Sequence, residues 1–301
     1  MRCPDSECAT SCMGDLAGLS SGVGSTGPEN FGRRRESSVA DEWVSITPLA
    51  VSRDRREWSS TIQRLLLHLR DSAIDGLPIP VEAGSPALDE VSFVDGDSAV
   101  DRVLNSEQVE SLGRLVRSIH DAGVDFAARS DDVWQPFEFR AAAAVAFGQP
   151  TFLADVVIGH GDTGPWNVLA TSAGSVSLID WEFAGPIVRL DEIAATCWLN
   201  FRFHDPDVDA VAPLTTLRDK VALLAAFLSA YGLDRELCPA VVQGMIDYAI
   251  RDTAYEAIRL NVSADAQSAD ESTAWRLAWR SRSAAWMVRH RAEILYLLAP
   301  D

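Results

Sequence analysis

The chain has 301 residues, 47% of them hydrophobic and 23% charged, with 26 basic against 44 acidic residues and a formal net charge of −18. A chain of this length buries a real core, as one large domain or two small ones. Its field repels a phosphate backbone and argues against nucleic acid as a partner; a cationic small molecule, or an anion masked by a divalent metal, fits it better. The longest apolar run, Val221 to Leu233, falls short of the roughly 18 residues of a membrane span, so no membrane partner is expected.

Residues 1–40 are rich in Gly, Ser, Thr and Cys, carry Arg33-Arg34-Arg35, and lack a hydrophobic period. They read as a disordered leader. Within them Gly22 to Gly27 spells G-x-G-x-x-G, but Pro28 stands where a helix would open and no strand precedes, so a flexible tail is the reading. Cys3, Cys8 and Cys12 form no CxxC pair and have no histidine nearby, which speaks against a metal site. Five cysteines are too few and too scattered for a disulfide framework, and the first residues lack the apolar core of a secretory signal; both point to a reducing cytoplasm.

Trp43 to Val51 has strand composition interrupted by Pro48, which predicts an edge strand or two short strands. Trp58, Ile62, Leu65, Leu66 and Leu69 recur at helical spacing, with Ser59 and Ser60 placed to cap. Val81 to Val94 reads as a hairpin, turning at Asp89-Glu90 into the strand Val91 to Val94. After Asp95-Gly96-Asp97 the pattern becomes helical, first from Ser106 to Gly123, then around Pro136 to Phe147. Strands are expected at Val156 to Ile158, Asn167 to Leu169 and Val176 to Ile179, with helices again from Leu190. The organisation is therefore α+β: a small mixed N-terminal lobe over residues 41–95 and a larger, mostly helical C-terminal lobe over 96–301.

The chemistry lies in His160-Gly161-Asp162-Thr163-Gly164-Pro165-Trp166-Asn167 and Ile179-Asp180-Trp181-Glu182. Asp162 follows a strand, Asn167 comes five residues later on a tight loop, and Asp180 ends a further apolar strand, so three oxygen ligands converge at strand ends. Phosphoryl transfer from a magnesium nucleotide needs such a set: one carboxylate to deprotonate the attacking hydroxyl, and an amide plus a second carboxylate to hold a hard cation. Trp166 and Trp181 read as packing groups.

These two blocks resemble the aminoglycoside phosphotransferase and choline kinase family, small-molecule kinases with a protein-kinase-like fold. The family's catalytic loop is H-G-D-x-x-x-x-N, followed by a strand ending I-D-W/F-E/D. The resemblance implies a two-lobed fold, ATP or another nucleoside triphosphate with Mg2+, and a hydroxyl acceptor such as an aminoglycoside, choline, an amino acid or a sugar. It further implies Asp162 as catalytic base, His160 as a catalytic-loop residue that orders it, Asn167 and Asp180 as metal ligands, and Asp191 as the aspartate that supports the loop. Trp58 to Leu69, Val91 to Gly96 and Leu112 to Gly123 are similar to the family's first helix, interlobe hinge and first C-lobe helix. Phe93 and Val94 would line the nucleotide there, and Trp275, Trp279 and Trp286 share one face of a closing helix.

The family's small lobe pairs a strand lysine with a helix glutamate. Here the first lysine is Lys220, the helix from Ser59 to Leu69 has no acid, and Arg53 stands in the lysine's place. Arginine keeps the charge but not the geometry. Two readings thus stay open: an active kinase, or a kinase-fold protein without turnover that binds a nucleotide or other ligand. A second acidic run, Asp205 to Asp209, fails as a calcium loop because Ala210 and Thr216 occupy the glycine and glutamate positions. It reads as a solvated loop, with attraction of a polyamine as the alternative.

Overall fold

The computed structural model describes residues 32–35, 42–139, 155–209, 216–263 and 271–299. Its N-terminal part is a four-stranded antiparallel sheet in the order β1 (Gly32–Arg35), β2 (Glu42–Ile46), β3 (Ala50–Asp54) and β4 (Leu88–Ser92). The sheet thus begins inside the stretch read as leader. Cys3, Cys8, Cys12 and the Gly22–Gly27 motif lie outside the described residues. Pro48 sits in the β2–β3 turn, where the Thr47 hydroxyl takes the Ala50 N–H at 3.0 Å, so the segment forms two short strands.

The expected local hairpin at Val81 to Val94 does not form. β4 pairs along its whole length with β3, from Ala50 opposite Ser92 to Asp54 opposite Leu88, and Pro80 touches it by one isolated bridge to Val91. Proline has no N–H for a ladder, so the segment before β4 adds only that bridge on its other edge.

Helix α1 (Ser59–Asp71) buries Ile62, Leu65, Leu66 and Leu69, the stripe its spacing predicts. Its serines do not cap it: the Ser59 hydroxyl accepts from the Arg56 N–H, and that of Ser60 accepts from Arg55. α2 (Ser106–Val124) opens on a capping box between Asn105 and Gln108 rather than on Ser106. Pro136 to Phe139 is not helical, and the rest of the helix expected to Phe147 lies outside the described residues.

β5 (Asp97–Ser98) lies on the edge of the hairpin β7 (Val168–Ala170) and β8 (Val176–Leu178), while β6 (Val156–Gly159) pairs antiparallel with β9 (Gly185–Val188). These two small sheets carry the loops of interest. Below them pack α3 (Arg189–Asn200), α4 (Leu217–Tyr231), α5 (Cys238–Arg259) and α6 (Glu271–Leu298). α3 is buried almost all round and forms the centre of the lobe. Trp198 stacks on Trp279 at 5.4 Å, Trp279 on Trp275 at 6.2 Å, and Trp286 meets Phe203, so the α6 tryptophans close the helical core. No helix among the described residues is long and apolar enough to cross a membrane.

Candidate active site

The β6 strand ends at Gly159 and delivers His160-Gly161-Asp162 into the space between the two small sheets. Gly161 has φ +84°, and a Cβ there would lie 2.1 Å from the Phe183 carbonyl oxygen, so only glycine makes this turn. Gly161→Ala is expected to destabilise the chain by about 1–3 kcal/mol through backbone strain alone; a chemical-denaturation midpoint equal to wild type would contradict the loop geometry.

His160 is fully buried, and both ring nitrogens are engaged by backbone. Nδ1 accepts from the Asp162 N–H at 3.3 Å, so Nε2 carries the proton and donates to the Ile179 carbonyl at 3.0 Å. Burial pulls its pKa below the ordinary histidine value despite nearby carboxylates, which keeps the ring neutral. His160 thus ties the Asp162 loop to the strand leading to Asp180, the contacts expected of a residue that orders the catalytic loop.

Asp162 Oδ2 accepts from Trp166 Nε1 at 2.9 Å and from Asn167 Nδ2 at 3.0 Å. Burial first, then the charges of Asp180 and Asp252, push its pKa up to about 6 against these hydrogen bonds. Trp166 is thus more than a packing group, because its indole N–H aims the carboxylate; the signal was only its place inside the loop. Trp181 does pack, edge-on against His160 at 4.5 Å. Asn167 spends both amide hydrogens on Asp162, on Oδ2 and on the backbone carbonyl, each at 3.0 Å. The atom it can offer a cation is therefore Oδ1.

Asp180 follows β8 in the left-handed region, φ 62° and ψ 70°, with its side chain 46% exposed. A non-glycine residue there is strained by about 1–3 kcal/mol, a pattern that concentrates at functional sites. Asp180 Oδ1 accepts from Arg53 Nη1 at 3.0 Å, and Glu182 Oε1 accepts from the same nitrogen. The two carboxylates outweigh the burial of Arg53 and hold its guanidinium firmly charged. The site thus assembles oxygen donors from Asn167 and Asp180 beside a cation from β3, a donor set that suits a hard divalent metal and phosphate. Phe93 and Val94 lie on the connection between β4 and β5, with the Phe93 N–H bonded to the Leu49 carbonyl at 3.0 Å and its side chain exposed.

Support for the loop comes from a residue that sequence reasoning missed. Asp191 is held by Arg251 in a bidentate pair at 2.8 and 3.0 Å. Its neighbour Glu192 accepts from the Gly161 N–H at 2.5 Å and meets His120 Nε2 at 2.5 Å, and His120 Nδ1 meets the Tyr231 hydroxyl at 2.8 Å. A Cβ on Gly159 would lie 2.4 Å from Glu192 Oε2, so that glycine makes room for the carboxylate. Consecutive helix positions point about 100° apart, and with acids at both, periodicity alone does not choose between them.

The acidic run is not a free surface. Arg282 pairs with Asp205 at 2.9 Å and Asp207 at 2.7 Å, and Arg202 pairs with Asp209. The run is thus partly neutralised, with the Asp207 side chain still 78% exposed.

A family model described as the phosphotransferase enzyme family matches residues 62–238. The trifolitoxin immunity protein of Rhizobium leguminosarum bv. trifolii is 33% identical over 251 residues, 83% of this chain and 92% of that protein. Among solved structures, the amicoumacin kinase hAmiN in complex with AMP-PNP, Ca2+ and Ami superposes with a TM-score of 0.61 at 11% identity, over 89% of this chain and 90% of that one. An aminoglycoside phosphotransferase of Alicyclobacillus acidocaldarius gives 0.55 at 14% identity, over 88% and 92%. A microcompartment-associated aminopropanol kinase gives 0.55 at 14%, over 90% and 95%. At these identities the structural likeness concerns the fold.

Proposed function

Because the chain belongs to the phosphotransferase enzyme family, we propose that it moves the γ-phosphoryl group of ATP, or of another nucleoside triphosphate, to a hydroxyl of a small molecule. The observation that carries this reading is the Asp162 carboxylate, half-buried and aimed by Trp166 and Asn167 in the same site as Asp180.

Asp162 accepts the proton of the acceptor hydroxyl as its oxygen bonds to the γ-phosphorus and the bond to the nucleoside diphosphate breaks. Asn167 Oδ1 and the Asp180 carboxylate would hold Mg2+, which would supply positive charge to offset that of the phosphates. Arg53 takes the place of the strand lysine and meets the phosphates, while Phe93 and Val94 border the base. His160 and Glu192 hold the loop, and Asp191 steadies it less directly, through Arg251 and the start of α3.

The names of the trifolitoxin immunity protein and of the amicoumacin kinase support a toxic small molecule as the acceptor, inactivated by phosphorylation. The cytoplasm, where nucleoside triphosphates are available and the free thiols of Cys197 and Cys238 stay reduced, is the matching compartment. The competing reading, a nucleotide-binding relative without turnover, draws on one observation: Arg53 is paired to Asp180, a proposed metal ligand.

Ligand binding decides the first step. At about 100 times its dissociation constant, magnesium-ATP is expected to raise the unfolding free energy by about 2.7 kcal/mol, and Asp180→Ala to remove most of that gain. A folded wild-type chain whose thermal midpoint ignores magnesium-ATP would sink the proposal.

A further inference from the structure

Among the described residues of the small lobe, no acid bonds Arg53, although Asp89 lines a small void beside it. α1 faces Arg53 with Trp58, Ser59 and Ile62, which line the same void, and from Ser59 to Arg70 the helix carries no Asp or Glu. Asp89, its cross-strand neighbour on β4, is hydrogen-bonded to Gln63 at 2.5 Å. The carboxylates that hold Arg53 come instead from across the cleft, Asp180 and Glu182.

These two are not equivalent. Asp180 is 46% exposed, while Glu182 is 18% exposed and fixed on the short 3-10 turn Trp181–Phe183. Both contacts use Arg53 Nη1, so neither carboxylate engages Nη2 or Nε. A guanidinium is a rigid fork with five donors, able to bond a carboxylate and a phosphate oxygen together.

We propose that Glu182 is the positioning residue for Arg53, supplied by the large lobe in place of the missing helix acid, and that Arg53 exchanges Asp180 for the nucleotide's phosphates while staying on Glu182. The inference rests on the phosphotransferase reading of the site. It explains why an arginine serves here: its fork spans Glu182 and a phosphate at once, whereas a lysine presents a single point charge. It also makes the Arg53–Asp180 bond a property of the nucleotide-free site, released as Asp180 turns to the metal. The lobes are thereby latched to each other before the nucleotide enters.

The test is ATP binding to the full chain by calorimetry, with excess EDTA and with Mg2+, for wild type, Arg53→Ala, Glu182→Gln, the double variant, Glu182→Asp and Asp180→Asn. Loss of one charge-assisted hydrogen bond corresponds to about tenfold in affinity. Arg53→Ala and Glu182→Gln are each expected to weaken metal-free ATP by about that factor, the double variant no more than Arg53→Ala alone, and Glu182→Asp much less. Asp180→Asn should bind metal-free ATP at least as tightly as wild type and lose the gain from Mg2+. If Glu182→Gln leaves metal-free binding intact and only raises the Mg2+ requirement, as Asp180→Asn does, Glu182 is a metal ligand and the proposal is overturned. Additive losses in the double variant overturn it too. Wild type that binds no ATP under either condition overturns the nucleotide reading itself, an outcome separate from those two.

Discussion

Asp162→Asn is expected to lower kcat by about 10²–10⁴-fold, the range over which a positioned general base acts. The substitution is nearly isosteric. Its amide oxygen can stand where Oδ2 stands and accept from both Trp166 Nε1 and Asn167 Nδ2, so the loop keeps its shape while the proton acceptor is gone. Nucleotide binding should survive, because Asp162 sits on the acceptor's side of the chemistry in this reading and the metal donors are Asn167 and Asp180. Single-turnover transfer from radiolabelled ATP, beside the thermal shift with magnesium-ATP, separates the two functions. Turnover within a fewfold of wild type would remove Asp162 from the role of base. Loss of binding together with turnover would instead mark it as part of the nucleotide site.

Glu192→Ala is expected to give the largest loss of stability, about 3–5 kcal/mol, since removing one partner of a buried pair leaves the other uncompensated. Here the loss is double: His120, 0% exposed, keeps no carboxylate, and the Gly161 N–H loses its acceptor in the turn that aims Asp162. Glu192→Gln should cost less, because an amide oxygen can still accept from Gly161. The pair also predicts a pH dependence. Burial raises the Glu192 pKa, but the hydrogen bonds from His120 and from the Gly161 N–H outweigh it, so the folded value lies below the unfolded 4.5. A carboxylate depressed on folding stabilises fully above its unfolded pKa and loses that contribution as the pH falls through its folded pKa. The stability gap between wild type and Glu192→Gln should therefore be constant near neutrality and narrow as the pH falls below 4.5. Urea unfolding at several pH values measures it; a gap that widens in acid would show that His120 and Glu192 are not coupled in the folded chain.

The elements that were legible share one property: each is specified by neighbours in the chain. The apolar stripe of α1 needs only a helical period, and the β2–β3 turn needs only Thr47 and Pro48. Within the loop from His160 to Asn167, the bonds that aim Asp162 span five residues or fewer, while its anchors on Ile179, Glu192, Thr196 and Asn200 lie farther along the chain. Its spacing therefore carried the family before any coordinate was known. What was not legible depends on partners far away in sequence. β4 pairs along its whole length with β3 and takes only one bridge from the segment just before it. The acids at Asp205 and Asp207 read as a solvated run until Arg282 arrived from the last helix, more than 70 residues on.

By itself the sequence determined the family, the two-part α+β organisation, and the block in which Asp162, Asn167 and Asp180 lie, because those rest on local spacing that covalent geometry enforces. Only the tertiary structure decided that Glu192 bonds the loop, that Trp166 aims Asp162, and that Arg53 finds its carboxylates on the segment after β8. Those choices turn on distances of about 3 Å between groups that are up to 129 residues apart. A hydrogen bond or ion pair acts over such short range that only the packed chain can say which side chains meet.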